Sequence, residues 1–522
     1  MGFSDLGCYG GEVDTPAVDQ LAERGVRFAN FYATPRCSPS RASLLTGLHP
    51  HQTGIGVLTN DDRPRGYPGN LNRNCVTLAE VLREAGYATA LCGKWHLSSD
   101  MWNANDAWPT RRGFDHYFGT LTGCGSFFWP GTLTRGEQSA EHEPLGREFY
   151  YTDAISDEAQ RFVQRHVHDA PEQPFFLYLA YTAPHWPLHA LEEDIDKYEG
   201  TFDAGWDELR ERRLERLVQL GLLPPDTQLS DRDPSRPAWA DEPDKEWQLA
   251  RMRAYAAQID RMDQGIARLL ATLDETGVRD DTIVVFLSDN GASDEDLPKV
   301  ELERFRKRHD ILRVTTRDGK PVHIGNTVHV TPGAEDTYAS YGRAWANLST
   351  TPFRYYKRWV HEGGIATPMV VSWPAGGLAE GDVVRAPFQL TDVLPTIIDA
   401  TGAEYPDSYA GHTIPPAEGR SMLPALTGAD QEAVPLFWEH TGNVAVRRGR
   451  WKLVREYGDP WELYDLETDR TELVDLAPEH PEIVQELATA HEKWADRVGV
   501  IPWEETLAIY QARGEGDMEA AG

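Results

Sequence analysis

The segment TIVVFLSDNG, residues 282–291, runs β-branched and aromatic residues together and then stops at the polar turn Ser288-Asp289-Asn290-Gly291. An apolar run of this length, without the alternation of a half-exposed strand, predicts a strand buried on both faces, as in a parallel sheet. YATALCG (87–93), FFLYLAY (175–181) and MVVSW (369–373) share its texture. Between these runs lie TPAVDQLAERG (15–25), TLAEVLREAG (77–86) and QLARMRAYAAQIDRMDQGIARLLATLDETG (248–277), whose apolar spacing predicts helices. Strands alternating with helices predict an α/β fold with a large, mostly parallel sheet flanked by helices.

Residues 191–247 form an acidic insertion with a predicted helix at 207–221 and a Pro- and Asp-rich connector at 223–243. It reads as a surface elaboration, with shaping of the site mouth as the alternative. After residue 430 the texture changes: NVAVRRGRWKLVRE (443–456) and WELYDL (461–466) predict short antiparallel strands, and PEIVQELATAHEKWADRVG (481–499) a final helix. The expected division is a large domain over 1–430 and a smaller C-terminal α+β domain over 431–522.

With 522 residues, 40% hydrophobic and 26% charged, the chain has the composition of a folded globular protein. A net charge of −32 disfavours nucleic acid and anionic membranes as partners. It also requires that any site for an anion concentrate positive charge locally. Five cysteines, Cys8, Cys37, Cys75, Cys92 and Cys124, make no disulfide framework or zinc spacing. No 18-residue apolar run predicts a membrane span. The start, MGFSDLGCYGG, has no signal-peptide pattern, and as written predicts a cytoplasmic protein.

In open α/β sheets ligands bind beyond the carboxyl ends of the strands. Those ends carry Gly93-Lys94-Trp95-His96, Ala183-Pro184-His185 and Ser288-Asp289-Asn290-Gly291, while Lys357 and His361-Glu362-Gly363-Gly364 lie just before the run at 369. Cys37-Ser38-Pro39-Ser40-Arg41 places a proline in the first turn of a predicted helix. Cys37 then sits at the helix N-terminus, where free N–H groups and the dipole favour negative charge. Arg41 lies one turn on, on the same face. A lone cysteine near a helix start is more often an inert thiol, but the arginine and the converging clusters reverse that weighting.

The segment CSPSRASLLTG (37–47) resembles the signature of the type I sulfatases, in which the cysteine of CxPxR is oxidised after translation to Cα-formylglycine. The resemblance covers nearly the whole chain. Through GKWHL, TAPHWP, LSDNGAS, TPFRYYKRWVHEGGIATPMVVSWP and GNVAVRRGRWKLV it is most similar to bacterial arylsulfatases. It implies an alkaline-phosphatase-like fold and an enzyme that cleaves aryl or alkyl sulfate esters. The small-molecule sulfate ester is the expected partner in turnover, and a formylglycine-generating enzyme the partner in maturation. It further implies Asp289, Asn290 and the modified Cys37 as ligands to one divalent cation, Ca²⁺. Arg41 and Lys94 would hold those groups, and His96 would take a proton from the diol. His185 and Lys357 would bind sulfate oxygens and protonate the leaving oxygen. The choice of Lys357 over Arg354 and Arg358 rests on the resemblance alone, and His189 and His361 are given no role. Trp102, Trp108, Phe127, Phe128 and Trp129 form either an apolar wall for substrate or core.

The chain departs from the family at its start. Members begin with an apolar strand ending in two adjacent aspartates, both metal ligands, directly before a segment like GFSDLGCYGG; here Met1-Gly2-Phe3 falls inside that motif. Loss of that central strand is expected to expose strand edges. Two explanations follow: the protein extends upstream of Met1, or it is a metal-poor relative without turnover. The competing functions are a formylglycine-dependent phosphonate monoester or phosphodiester hydrolase, and a truncated, inactive binder of sulfated ligands.

Overall fold

The computed structural model describes residues 1–146, 148–297 and 307–514, so the last eight residues of the expected C-terminal domain lie outside the described ones. The strands around the site are β1 (Val26–Phe28), β2 (Ala88–Gly93), β3 (His116–Thr120), β4 (Leu133–Arg135), β5 (Gln138–Ser139), β6 (Phe175–Ala180), β7 (Val284–Leu287), β8 (Met369–Ser372) and β9 (Val383–Val384). One sheet has the order β5-β4-β3-β2-β6. In it β2 is parallel to both neighbours, Ala90 facing His116 on β3 and Leu177 on β6. The other has the order β9-β1-β8-β7.

The apolar run at 369–373, expected to be parallel, is antiparallel on both sides, with Val371 opposite Val26 of β1 and Val285 of β7. Its four residues are all buried, and burial is what an apolar composition encodes. Strand direction depends on how the connections run.

The two sheets present β6 and β7 to each other as edges. They are not hydrogen-bonded together, and a cavity of about 830 Å³ lies between them, with Phe176 and Tyr178 on one wall and Val284 and Phe286 on the other. Arg41, Lys94 and Asp289 line the same cavity. Both strands are accordingly half-buried where β2 is buried. Ser288 Oγ donates to the Met1 carbonyl at 3.0 Å beside this cavity.

Helices α1 (Pro16–Glu23), α2 (Cys37–Thr46), α3 (Leu78–Glu84), α4 (Tyr151–Asp169), α5 (Gly205–Gln219) and α6 (Lys245–Glu275) fall where the apolar spacing puts them or between strands. Thr77 starts α3 with a capping box: Glu80 N–H donates to its hydroxyl at 3.1 Å, and its own N–H donates to the Glu80 carboxylate at 2.7 Å. Asp263 of α6 caps α1, accepting from the Ala17 and Val18 N–H groups at 2.9 Å each.

The acidic insertion does more than decorate the surface. From α5 it buries Arg213 against Asp5 at 3.0 Å and Glu12 at 2.7 Å, seating the N-terminal segment. From its connector Asp233 accepts the Tyr356 hydroxyl at 2.8 Å, directly beside Lys357.

The C-terminal part is an antiparallel sheet, β10 (Leu436–His440), β11 (Asn443–Arg448), β12 (Trp451–Arg455) and β13 (Glu462–Asp465), paired in chain order and covered by α7 (Pro481–Val498). Lys452 of β12 is fully buried between Glu362 at 2.9 Å and Glu472 at 2.8 Å, which ties this sheet to the EGG turn ahead of β8. Among the described residues no helix is long and apolar enough to cross a membrane.

Candidate active site

Cys37 is the first residue of α2, preceded by Arg36 in extended conformation, and is 5% exposed. Its Sγ lies 3.4 Å from His96 Nδ1. Arg41, one turn along α2, donates from Nε to Asp289 Oδ2 at 3.1 Å and from Nη1 to the Lys94 carbonyl at 2.8 Å. One side chain thus binds the helix start, the end of β2 and the turn after β7 together. His96 adopts φ +59°, and its ring fills the space a side chain would need at Gly123: a Cβ there would fall 2.4 Å from His96 Cε1.

On the other side, His185 Nδ1 is 2.8 Å from the Trp186 carbonyl, and Nε2 is 3.4 Å from Lys357 Nζ. A carbonyl only accepts, so Nδ1 carries the proton and Nε2 faces Lys357 with its lone pair. Lys357 also reaches Glu295 Oε2 at 3.2 Å. Asn290 is buried beside Asp289, its amide donating to the Gly291 carbonyl at 2.8 Å.

The structure therefore gathers Cys37, Arg41, Lys94, His96, His185, Asp289, Asn290 and Lys357 at one end of the strands. Of the three neighbouring cations, Lys357 reaches His185 and Glu295, whereas Arg354 pairs with Glu462 at 2.8 Å and Arg358 lies over the Trp359 ring at 4.1 Å. His189 is structural, accepting the Phe127 N–H at 3.2 Å and contacting the Thr337 carbonyl at 2.6 Å. His361 contacts Glu462 at 2.9 Å. Among the aromatic candidates, Phe127 and Phe128 pack on Tyr150 and His189, Trp108 is buried, and Trp102 is exposed; they are not gathered at this site. Cys8, Cys75, Cys92 and Cys124 are free thiols. Sequence reasoning missed Arg36 and Glu295, which join at 3.1 Å beside Lys357. Glu295 stands in the acidic run SDED, which reads as a solvated turn.

The charges follow from burial among cations. Burial pushes the Cys37 thiol up, but the Lys94 and Lys357 charges outweigh it and leave it below its ordinary value. Burial also pushes the Asp289 carboxyl up, and Arg41 and Lys94 hold it well below the usual carboxylate range. Burial, reinforced by Lys94, keeps His96 neutral, and burial with Lys357 does the same for His185. The site concentrates Arg36, Arg41, Lys94 and Lys357 around two carboxylates, which answers the repulsion of a −32 chain.

A calcium ion takes six to eight oxygen ligands. Among the described residues no group of three or more His, Cys, Asp or Glu side chains is arranged to hold a metal. Asp289 and Asn290 offer oxygens, but Asp289 Oδ2 is already shared by Arg41 Nε and Nη2 at 3.1 and 3.0 Å. The residues present do not by themselves make a calcium site.

A buried thiol at a helix N-terminus, neutral imidazoles and a ring of cations suit the hydrolysis of esters of tetrahedral oxyanions. The model of the family described as Sulfatase matches residues 1–403, and that described as N-sulphoglucosamine sulphohydrolase, C-terminal, matches residues 353–496. An uncharacterized sulfatase of Schizosaccharomyces pombe is 32% identical over 93% of this chain and 90% of its own. The arylsulfatase of Klebsiella aerogenes is 32% identical over 81% of this chain and 89% of its own. The crystal structure of Ps i-CgsB with k-i-k-neocarrahexaose shares the fold at a TM-score of 0.66 and 23% identity, over 95% of this chain and 90% of that one. The chain belongs to the sulfatase family. It is an enzyme that hydrolyses sulfate esters, on the α/β fold expected from its sequence.

Proposed function

We propose that the chain cleaves aryl sulfates through a formylglycine made from Cys37 by a formylglycine-generating enzyme. The observation that carries this reading is Cys37 at the start of α2, 3.4 Å from a neutral His96 and within the field of Lys94 and Lys357. The Sγ marks where the oxygens of the hydrated aldehyde would sit. One hydroxyl oxygen attacks sulfur, its proton passing to solvent, as the sulfur–oxygen bond to the phenol breaks. Lys357 gives the leaving oxygen its proton, because the only proton on His185 is committed to the Trp186 carbonyl. His96 then takes the proton of the second hydroxyl, the carbonyl reforms, and sulfate leaves with the bond to residue 37 broken. Thiol sulfate could not collapse in this way, which gives the modification its purpose.

The developing charge on sulfate oxygens is met by Lys94 and Lys357, as fixed cations serve phosphoryl transfer. The calcium expected from the resemblance is not supported by the ligand set described above, and no step here passes through it. The test has two parts: aldehyde-specific labelling of the peptide containing residue 37 after co-expression, and rates on nitrophenyl sulfate against nitrophenyl phosphonate. Labelling with a higher kcat/KM for the sulfate supports the reading. A higher value for the phosphonate would move the chain to the phosphonate hydrolases.

A further inference from the structure

Glu295 is a mostly buried carboxylate at this site that the chemistry above does not use. It lies on the loop after β7, with its side chain 11% exposed. Its Oε2 accepts from Trp186 Nε1 at 2.6 Å, Ser293 Oγ at 3.0 Å and Lys357 Nζ at 3.2 Å, and its Oε1 meets Arg36 Nη1 at 3.1 Å. Trp186 follows His185 and Arg36 precedes Cys37. One carboxylate therefore ties together the segments that carry the nucleophile, the imidazole beside the leaving group and the lysine.

A lysine side chain has many rotamers, and its ammonium has three protons to give. Glu295 takes one and His185 Nε2 faces a second, so the third is directed rather than free. A negative charge here works against binding of an anionic ester. Its presence is explained by what it does to Lys357, not by substrate affinity. We propose that Glu295 is a positioning residue that aims Lys357 at the leaving oxygen; this rests on the reading of Lys357 as the proton donor.

The proposal predicts a pattern that loss of folding would not produce. A nitrophenolate departs with little help from an acid, whereas a phenolate, whose conjugate acid has a pKa near ~10, needs the proton. In Glu295→Gln, kcat on phenyl sulfate falls about 10- to 100-fold while kcat on p-nitrophenyl sulfate falls less than about 3-fold. KM does not rise for either substrate, since an opposing charge has been removed. Lys357→Ala, measured alongside, loses on both substrates because its charge also meets the sulfate oxygens, but loses about 10- to 100-fold more on phenyl sulfate. A selective Lys357→Ala beside a Glu295→Gln that loses equally on both substrates would overturn the positioning role and leave the donor reading intact. Equal losses in Lys357→Ala would overturn the donor reading, and the proposal with it.

Discussion

His96 is held against Cys37 by two local features. Its backbone is left-handed, at φ +59°, a conformation that costs a non-glycine residue about 1–3 kcal/mol and persists only where surroundings enforce it. Its ring also depends on Gly123 having no side chain. Gly123→Ala should push the ring off Cys37 and lower kcat/KM at least about 10-fold, since displacements near 1 Å at a reacting centre cost up to about 100-fold. The thermal melt should move little by comparison, and unchanged kinetics would show that the ring has room to yield. Cys37, Arg41, Lys94, Asp289 and Asn290 were legible because each lies in a short contiguous motif at a strand or helix end. Gly123 and Glu295 were not, because their roles exist only once distant segments meet: the Glu295 partners Arg36, Trp186 and Lys357 come from three separate parts of the chain.

Among the elements, α5 of the acidic insertion carries a structural duty that its composition conceals. Arg213 is wholly buried against Asp5, also wholly buried, and its contacts reach Glu12 and the Leu348 carbonyl. Removing one partner of a buried pair leaves an uncompensated charge, so Arg213→Ala should cost about 3–5 kcal/mol in urea unfolding. A cost under about 1 kcal/mol, the range of exposed pairs, would show that the insertion is dispensable to the N-terminal segment. The helix assignments at 15–25, 77–86 and 248–277 succeeded because a 3.6-residue period is local information. The direction of β8 and the division of the strands into two sheets did not, because pairing partners are set by connections that run from tens to hundreds of residues.

For the whole molecule, a chain of net charge −32 repels anions at long range, and the cations gathered around Cys37 oppose that repulsion locally. Stability should depend on pH through histidines away from the site. Burial pulls His49 down to about 3 and His189 to about 4, and it holds His440 well below and His491 below their ordinary value. The unfolded chain protonates them near ~6.5 and the folded chain does not, so stability is fullest above that pH. It is lost as pH falls, by up to about 1.4 kcal/mol per unit for each group. Burial also raises the carboxyls of Asp19, Asp294, Asp263 and Asp392, the last two to about 6, and these act in the opposite sense, chiefly below that pH. The melting temperature should therefore fall between pH 7.5 and 5.5; a rise would mean that the buried carboxylates dominate.

The most direct test of the chemistry assigned to Cys37 is release of nitrophenol from p-nitrophenyl sulfate by this chain, co-expressed with a formylglycine-generating enzyme, beside Cys37→Ala handled identically. Many turnovers per molecule from the first and none above background from the second are expected. Binding without turnover in the first, or equal rates from both, would contradict a formylglycine sulfatase centred on residue 37.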